Sequence, residues 1–325
     1  MNMKKLICVM LTILMIASLF AGCGAKADDG VINIAIIQQL DHSSLDEIRL
    51  AMQAQLDKIA AEKGVKVEYK HFNGQNDTSI LAQIGTQVVS DGYDLILPIA
   101  TVAAQYAVTA AEGKNIPIVY AAVSDPETAG LTGMSNVTGV SDALNTPFIM
   151  DMMFAANPDI QTVGLLYSLS EPNSEMPIKE AKAYLDAKGI PYIEKTGNAA
   201  DEVITAAAAL VGRCEAVFTP TDNAIMNVAP AVAETLANAG IAHYTGADSF
   251  VQAGSFTTCG VNYTELGTYA ATMAMDIALG SAVPEFHVMD GGIITVNTDT
   301  AALLGLDYNV FSTMANTVVP VTTTK

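Results

Sequence analysis

The 325-residue chain is poor in charge, and especially in positive charge: 15% of residues are charged, with 15 Lys and Arg against 34 Asp and Glu. No basic patch is visible that could release counterions from phosphates, which argues against nucleic-acid binding. Catalytic signatures are missing too. The sequence holds no G-x-S-x-G elbow, Walker A loop, G-x-G-x-x-G or H-E-x-x-H. Neither EF-hand spacing nor Cys/His spacing for zinc is found, so no metal and no cofactor is expected. Histidine is scarce: His42, His71, His243 and His287 are the only four. The last three lie in or beside predicted strands, which favours structural roles. His42 alone falls in a polar loop.

Cysteine is equally scarce, with four in all. Cys8 and Cys23 fall in the N-terminal segment. Cys214 and Cys259 fall beside or within predicted buried strands, where two free buried thiols are expected rather than a disulfide. That N-terminal segment is distinctive. "MNMKK" is a short basic region, and Leu6 to Phe20 is an apolar run too short for a span of about 20 residues. "SLFAGCG" follows and resembles the lipobox of bacterial lipoprotein precursors, with Phe20 where leucine is usual. Residues 1–22 are therefore expected to be a lipoprotein signal peptide and Cys23 the lipidation site. Residues 23–30 would form a tether on the extracytoplasmic face of the cell membrane, held by two acyl chains. Without residues 1–22, Lys4 and Lys5 are gone, leaving 13 basic against 34 acidic residues and a net charge of −21.

What is abundant is hydrophobicity, at 51% of residues, enough for a sizeable core and two domains of ordinary size. From residue 31, apolar runs alternate with helical patterns. Strands are predicted at 31–37, 65–72, 94–100 and 116–123. They are predicted again at 162–168, 190–196, 216–222, 241–248, 256–263 and 291–297. Between them, Ile48, Met52, Leu56 and Ile59 form a helical stripe ended by Gly64. Pro230 should kink or break its helix. The tail "TVVPVTTTK" reads as loose. Continuous apolar strands separated by helices argue for an α/β fold with parallel sheets. The two halves share a grammar: "QQLDHSSLDE" matches "SLSEPNSEMP", and "LPIATVAAQ" matches "FTPTDNAIM". This suggests two similar Rossmann-like lobes.

Ligands of such sheets bind beyond the carboxyl ends of the strands. The polar loops there precede helices, whose free N–H groups favour a carboxylate. Thr101 and Ser124 add hydroxyls, while Asp125, Asp222 and Asp248 can receive an ammonium. The same residue types also make good caps and turns: Thr101, Asn173, Ser174 and Asp222 or Asn223 at helix starts, Asp125 before Pro126. Tyr106 and Tyr167 are secondary cleft candidates.

Several loop words carry a resemblance to a known family: "PIATVAAQ", "PIVYAAVSDPETAGL", "NVTGVSD", "VGLLYSLSEPNS", "PTDN", "YTELG" and "VNTDTAALLGL". The chain resembles the substrate-binding lipoproteins of ABC transporters in the tryptophan/tyrosine-type uptake family. The resemblance runs from about residue 31 to residue 306. It implies the type I periplasmic-binding-protein fold, with hinge closure on a small hydrophobic, often aromatic, L-amino acid. It also implies partner permease and ATPase chains. The first loop reads "HSSLD", with Ser43 and Ser44 where the family commonly has Pro-Ala. By motif, the resemblance points to His42, Leu45, Ala100, Thr101, Ser124, Asp125, Asn173, Ser174, Thr221, Asp222, Asn223 and Asp248 as ligand-binding. Residues 31–142 plus 263–282 are expected in the N-terminal lobe, and 143–262 plus 283–325 in the C-terminal lobe, of a monomer. The alternatives are a sensor or adhesin on the same fold, and a branched-chain amino acid, nucleoside or sugar as solute. A third reading is an enzyme using His42 with a cleft aspartate.

Overall fold

The computed structural model describes residues 30–324. The proposed signal peptide, Cys23 and nearly all of the tether lie outside them. The first half runs β1 (Val31–Gln38), α1 (Ser43–Lys63), β2 (Lys66–Asn73), α2 (Thr78–Asp91), β3 (Leu95–Ile99), α3 (Thr101–Ala110), β4 (Ile118–Ala121) and β5 (Val137–Ser141). The second half begins α4 (Thr146–Ala156), β6 (Val163–Tyr167), α5 (Glu175–Lys188), β7 (Tyr192–Thr196), α6 (Ala200–Ala208), β8 (Ala216–Thr219), α7 (Asn223–Met226) and α8 (Ala229–Asn238). It continues β9 (Ala242–Thr245), α9 (Asp248–Gln252), β10 (Thr257–Gly260), α10 (Tyr263–Ala278), β11 (His287–Val288), β12 (Ile293–Asn297), α11 (Thr298–Leu304) and β13 (Thr317–Val321).

Two sheets result. The first has the order β11-β5-β4-β3-β1-β2 and the second β13-β12-β10-β9-β8-β6-β7. Parallel pairing dominates both among the described residues, while β10 pairs with β12 antiparallel. Between β10 and β12 the chain passes through α10 and β11, which belongs to the first sheet. Along β1, Ile34 and Ile36 enter one buried cluster with Ile48, Met52 and Ala270, while Ala35 and Ile37 enter another with Leu81, Ile84 and Ala103. Alternate residues thus bury on opposite faces, as a sheet covered on both sides requires. Among the described residues, no helix is long and apolar enough to cross a membrane.

Several expectations need correction. β5 was not among the predicted strands, because its short run "VTGVS" carries two polar residues and a glycine, although all five residues are buried. The tail is not loose: Thr317–Val321 pairs in parallel with β12 from Ile293 to Asn297. Pro230 does break its helix. α7 ends at Met226 and α8 starts at Ala229, with Pro230 in its first turn, where a missing N–H costs nothing. The second-lobe boundary expected at residue 283 differs from the sheet. His287 and Val288 pair with Val140 and Ser141 of the first sheet, so the chain leaves that sheet only after Val288. Cys214 and Cys259 are buried free thiols.

Candidate ligand-binding cleft

The first sheet contributes two strained turns. Ala100, just past β3, has φ 78° and Ala122, just past β4, has φ 53°. Such angles cost a residue with a Cβ on the order of 1–3 kcal/mol, and strain of this kind concentrates at functional sites. The Ala100 N–H donates to Ala121 O at 2.9 Å, which locks the two turns side by side. α3 then starts abruptly, with no side chain capping it. Its first intrahelical bond runs from the Ala104 N–H to Ala100 O, so the earlier N–H groups lack a helical partner. The positive end of α3 is therefore bare at the carboxyl edge of the sheet.

The second sheet contributes a buried carboxylate, Asp222, after β8. It accepts from the Ser168 N–H at 2.7 Å, the Ser174 hydroxyl at 2.7 Å and the Ile225 N–H at 3.0 Å. The loop "SLSEPNSE" exists largely to make these bonds. Pro172–Ser174 forms a single 3₁₀ turn that aims Ser174 at Asp222 and lets Asn173 Nδ2 donate to Thr221 O. Gly246, after β9, is obligatory here. A Cβ on it would meet Thr221 N at 2.5 Å and Pro220 C at 2.7 Å, so any side chain would push the β8 loop out of position.

Between the two edges lies a narrow cavity of about 30 Å³. Its apolar wall is Leu45, Ala100, Ala122, Met226, Ala247 and Phe250. Polar groups facing it include His42, Thr101, Ser124, Asp142, Asn173 and Tyr263. Hydrogen bonds cross from one sheet's loops to the other's. Ser124 Oγ and Thr221 Oγ1 are 3.0 Å apart, and His42 Nε2 is 3.2 Å from Asn223 Oδ1. Gln39 Nε2 donates to Glu171 Oε1 at 2.8 Å, and Ser44 Oγ to Asp248 Oδ1 at 3.1 Å. These are the contacts of a closed cleft.

Of the sequence candidates, His42, Leu45, Ala100, Thr101, Ser124, Asn173, Thr221, Asp222 and Asn223 line the cavity. Ser174, Asp125 and Asp248 do not. Ser174 is spent on Asp222. Asp125 accepts from the Thr128 N–H at 3.0 Å and makes a turn. Asp248 accepts from the hydroxyl of Ser44, a lining residue, and stands just behind the cavity wall. Tyr106 and Tyr167 also stand away from the lining, and the Tyr167 hydroxyl donates to Glu194. Sequence reasoning missed Asp142, Tyr263, Phe250 and Met226. Asp142 follows β5, so recognising that strand would have exposed it by the strand-end rule.

The electrostatics are lopsided. Burial raises the pKa of Asp142, opposed by the Ser124 hydroxyl that donates to it at 2.9 Å. Burial likewise raises Asp222. Glu171, beneath the cleft, is pushed up to about 8 by burial and then by the neighbouring Asp222 charge. Burial lowers His42 to about 4, so its ring is neutral. Among the described residues, no Lys or Arg lines the cavity. Four polar atoms of the lining are buried without a partner: His42 Nδ1, Thr101 Oγ1, Asn173 Oδ1 and Ser249 Oγ. Buried polar groups are normally satisfied, so these atoms mark where a polar ligand would complete the structure. No group of three or more His, Cys, Asp or Glu side chains suited to a metal occurs among the described residues.

Two α/β lobes, joined by several chain crossings and closing on a cavity at their strand ends, define a cleft-binding protein of the type I periplasmic kind. The chain belongs to the ABC transporter substrate binding protein family, whose pattern it matches over residues 33–317. It is 31% identical over 281 residues to a tyrosine-binding protein of Clostridioides difficile, covering 84% of this chain and 81% of that one. Among solved structures, it is similar to an ABC domain from Streptococcus pneumonia in complex with L-Trp. There the TM-score is 0.81 at 29% identity, covering 88% of this chain and 99% of the other. It is also similar to the ligand-free, open structure of a substrate binding protein with adhesive properties from Clostridium difficile. That comparison gives a TM-score of 0.67 at 30% identity, covering 90% and 99%. At nearly equal identity, the likeness is greater to the ligand-bound structure, in keeping with the bonds that cross the cleft.

Proposed function

We propose that this protein captures a small hydrophobic, aromatic L-amino acid in the cleft and delivers it to an ABC permease with its ATPase, from a lipid anchor at Cys23 outside the cytoplasm. It carries out no chemistry on that ligand. One observation carries the reading: a buried carboxylate with no cation, Asp142, shares an apolar-walled cavity with the uncapped start of α3. The ammonium of an amino acid supplies the missing charge to Asp142. Asn173 Oδ1 stands nearby, because Asn173, Thr221, Ser124 and Asp142 are linked in sequence by hydrogen bonds. The α-carboxylate lies against the first turn of α3 and the Thr101 hydroxyl. Leu45, Met226 and Phe250 receive the side chain. The named relatives, tyrosine-binding and L-Trp-bound, support this class of ligand.

Closure is a population shift, since a ligand that touches both lobes favours the closed form by its differential affinity. Ligand at about 100 times its dissociation constant should stabilise the protein by roughly 2.7 kcal/mol. The chain contains no tryptophan, so bound L-Trp is the sole indole fluorophore and its emission reports binding directly. The test is a melting screen of the amino acids, nucleosides and sugars on the chain from residue 24, followed by an L-Trp emission titration. An upward shift with aromatic amino acids is expected. A shift with nucleosides or sugars alone would overturn the ligand class.

Asn173 gives a second check. Its amide supports Thr221 through Nδ2 and leaves Oδ1 to the cavity. Asn173→Ala should cost about 1 kcal/mol of stability and lower affinity about tenfold. Unchanged affinity in a calorimetric titration would reduce Asn173 to a loop support.

A further inference from the structure

The order of the first sheet sets out its cleft contributions in a row. Asp142 follows β5, Ser124 lies beyond β4, Thr101 follows β3 and His42 lies beyond β1. Neighbouring strands are about 4.8 Å apart, so the ends of β5 and β1, which carry Asp142 and the His42 loop, stand roughly 14 Å apart at opposite ends of the row. With the ammonium at Asp142 and the carboxylate at α3, the far end of the ligand side chain reaches toward His42. This step rests on the amino-acid reading of the cleft.

What His42 offers there is decided by its partners. Asn223 Nδ2 donates to Glu171 Oε2 at 2.9 Å, which turns Asn223 Oδ1 toward His42 Nε2 at 3.2 Å. An amide oxygen only accepts, so Nε2 carries the ring proton. On its other side, Glu171 Oε1 accepts from Gln39 Nε2 at 2.8 Å. The remaining ring nitrogen, His42 Nδ1, is then a bare lone pair, buried and without a partner. The ring is neutral, because burial holds its pKa down at about 4.

We propose that His42 is a specificity-determining residue whose Nδ1 accepts a hydrogen bond from the ring N–H or O–H of the bound side chain, so that the cleft selects tryptophan and tyrosine over phenylalanine. A ring lacking a donor would seal the lone pair away from water unpaired. Sites built to bond a polar substrate group reject the analogue without it far more strongly than apolar pockets reject a change of size.

The test is calorimetric titration of the chain from residue 24 with L-tryptophan, L-tyrosine, L-phenylalanine and 3-benzothienyl-L-alanine. The last keeps the bicyclic shape of tryptophan but carries sulfur in place of the N–H. Phenylalanine and the benzothienyl analogue are expected to bind at least tenfold more weakly than tryptophan. In His42→Phe, checked for folding by its melting transition, the tryptophan-to-analogue ratio should fall toward one. Equal affinity of the parent protein for tryptophan and the analogue would overturn the role of His42 and leave the amino-acid cleft standing. So would a ratio unchanged in His42→Phe. Failure of all four ligands to bind would remove the cleft reading and this inference together.

Discussion

Asp142→Asn is expected to lose amino-acid affinity by about 30- to 1,000-fold, while the ligand-free protein melts no lower than its parent. The affinity loss follows from removing the charged partner of a desolvated ammonium, which typically costs about 2–4 kcal/mol. The stability result follows from the sign of the pKa shift. Burial raises Asp142 above its unfolded value of 3.8. Its contribution to stability is thus fully present below that value and lost as pH rises through the folded pKa. At neutral pH the ligand-free protein carries an unpaid desolvation cost that asparagine removes. The amide oxygen can still accept from Ser124, and the side-chain volume is unchanged. Calorimetric titration and scanning calorimetry on the same pair of proteins read both effects. Retained affinity would show that the ammonium sits elsewhere. A melting point several degrees lower would show that the carboxylate is structural.

Glu171→Gln should gain stability relative to the parent as pH rises from about 4.5 to about 8, a comparison in which the opposite contribution of the buried, low-pKa His42 cancels. Glu171 is faced by Gln39 and Asn223 as donors and by Asp222 as a like charge, with no cation among them. Its pKa rises from 4.5 to about 8. The stability it contributes is complete below 4.5, declines as pH rises and is gone above about 8. The difference is on the order of 5 kcal/mol. A neutral glutamine of the same shape loses nothing on that interval. Melting temperatures at pH 5, 7 and 9 measure it. A difference in melting point between parent and Glu171→Gln that stays the same from pH 5 to pH 9 would contradict the assignment.

Much of this molecule was legible in its sequence, for reasons that separate by residue. Continuous runs such as 31–37 and 94–100 announce buried strands, because parallel sheets covered on both faces leave no polar alternation. Ala100, Thr101 and Thr221 lie where a proline-bearing strand meets a helix, and that punctuation survives without coordinates. Asp142 escaped because β5 is held by its neighbours rather than by its own composition, and an unnoticed strand hides the residue at its end. Asp125 and Asp248 were plausible ammonium partners by type. Whether a loop carboxylate turns inward or caps its own turn is decided by backbone direction, which residue type does not encode. Glu171 was hidden for a different reason: its partners Gln39 and Asn223 are 132 and 52 positions away.

The two buried thiols bear on how closure can be watched. Cys214 and Cys259 are shielded, and burial raises both to about 11, so neither is poised to react as a thiolate. A chain starting at residue 24 has no other cysteine. One cysteine placed at an exposed site on each lobe, such as Glu112 and Asp201, would then take a dye pair cleanly in an otherwise native background. The native protein is thus already suited to single-molecule distance measurements of its opening and closing, and to conversion into a fluorescent sensor for its own ligand.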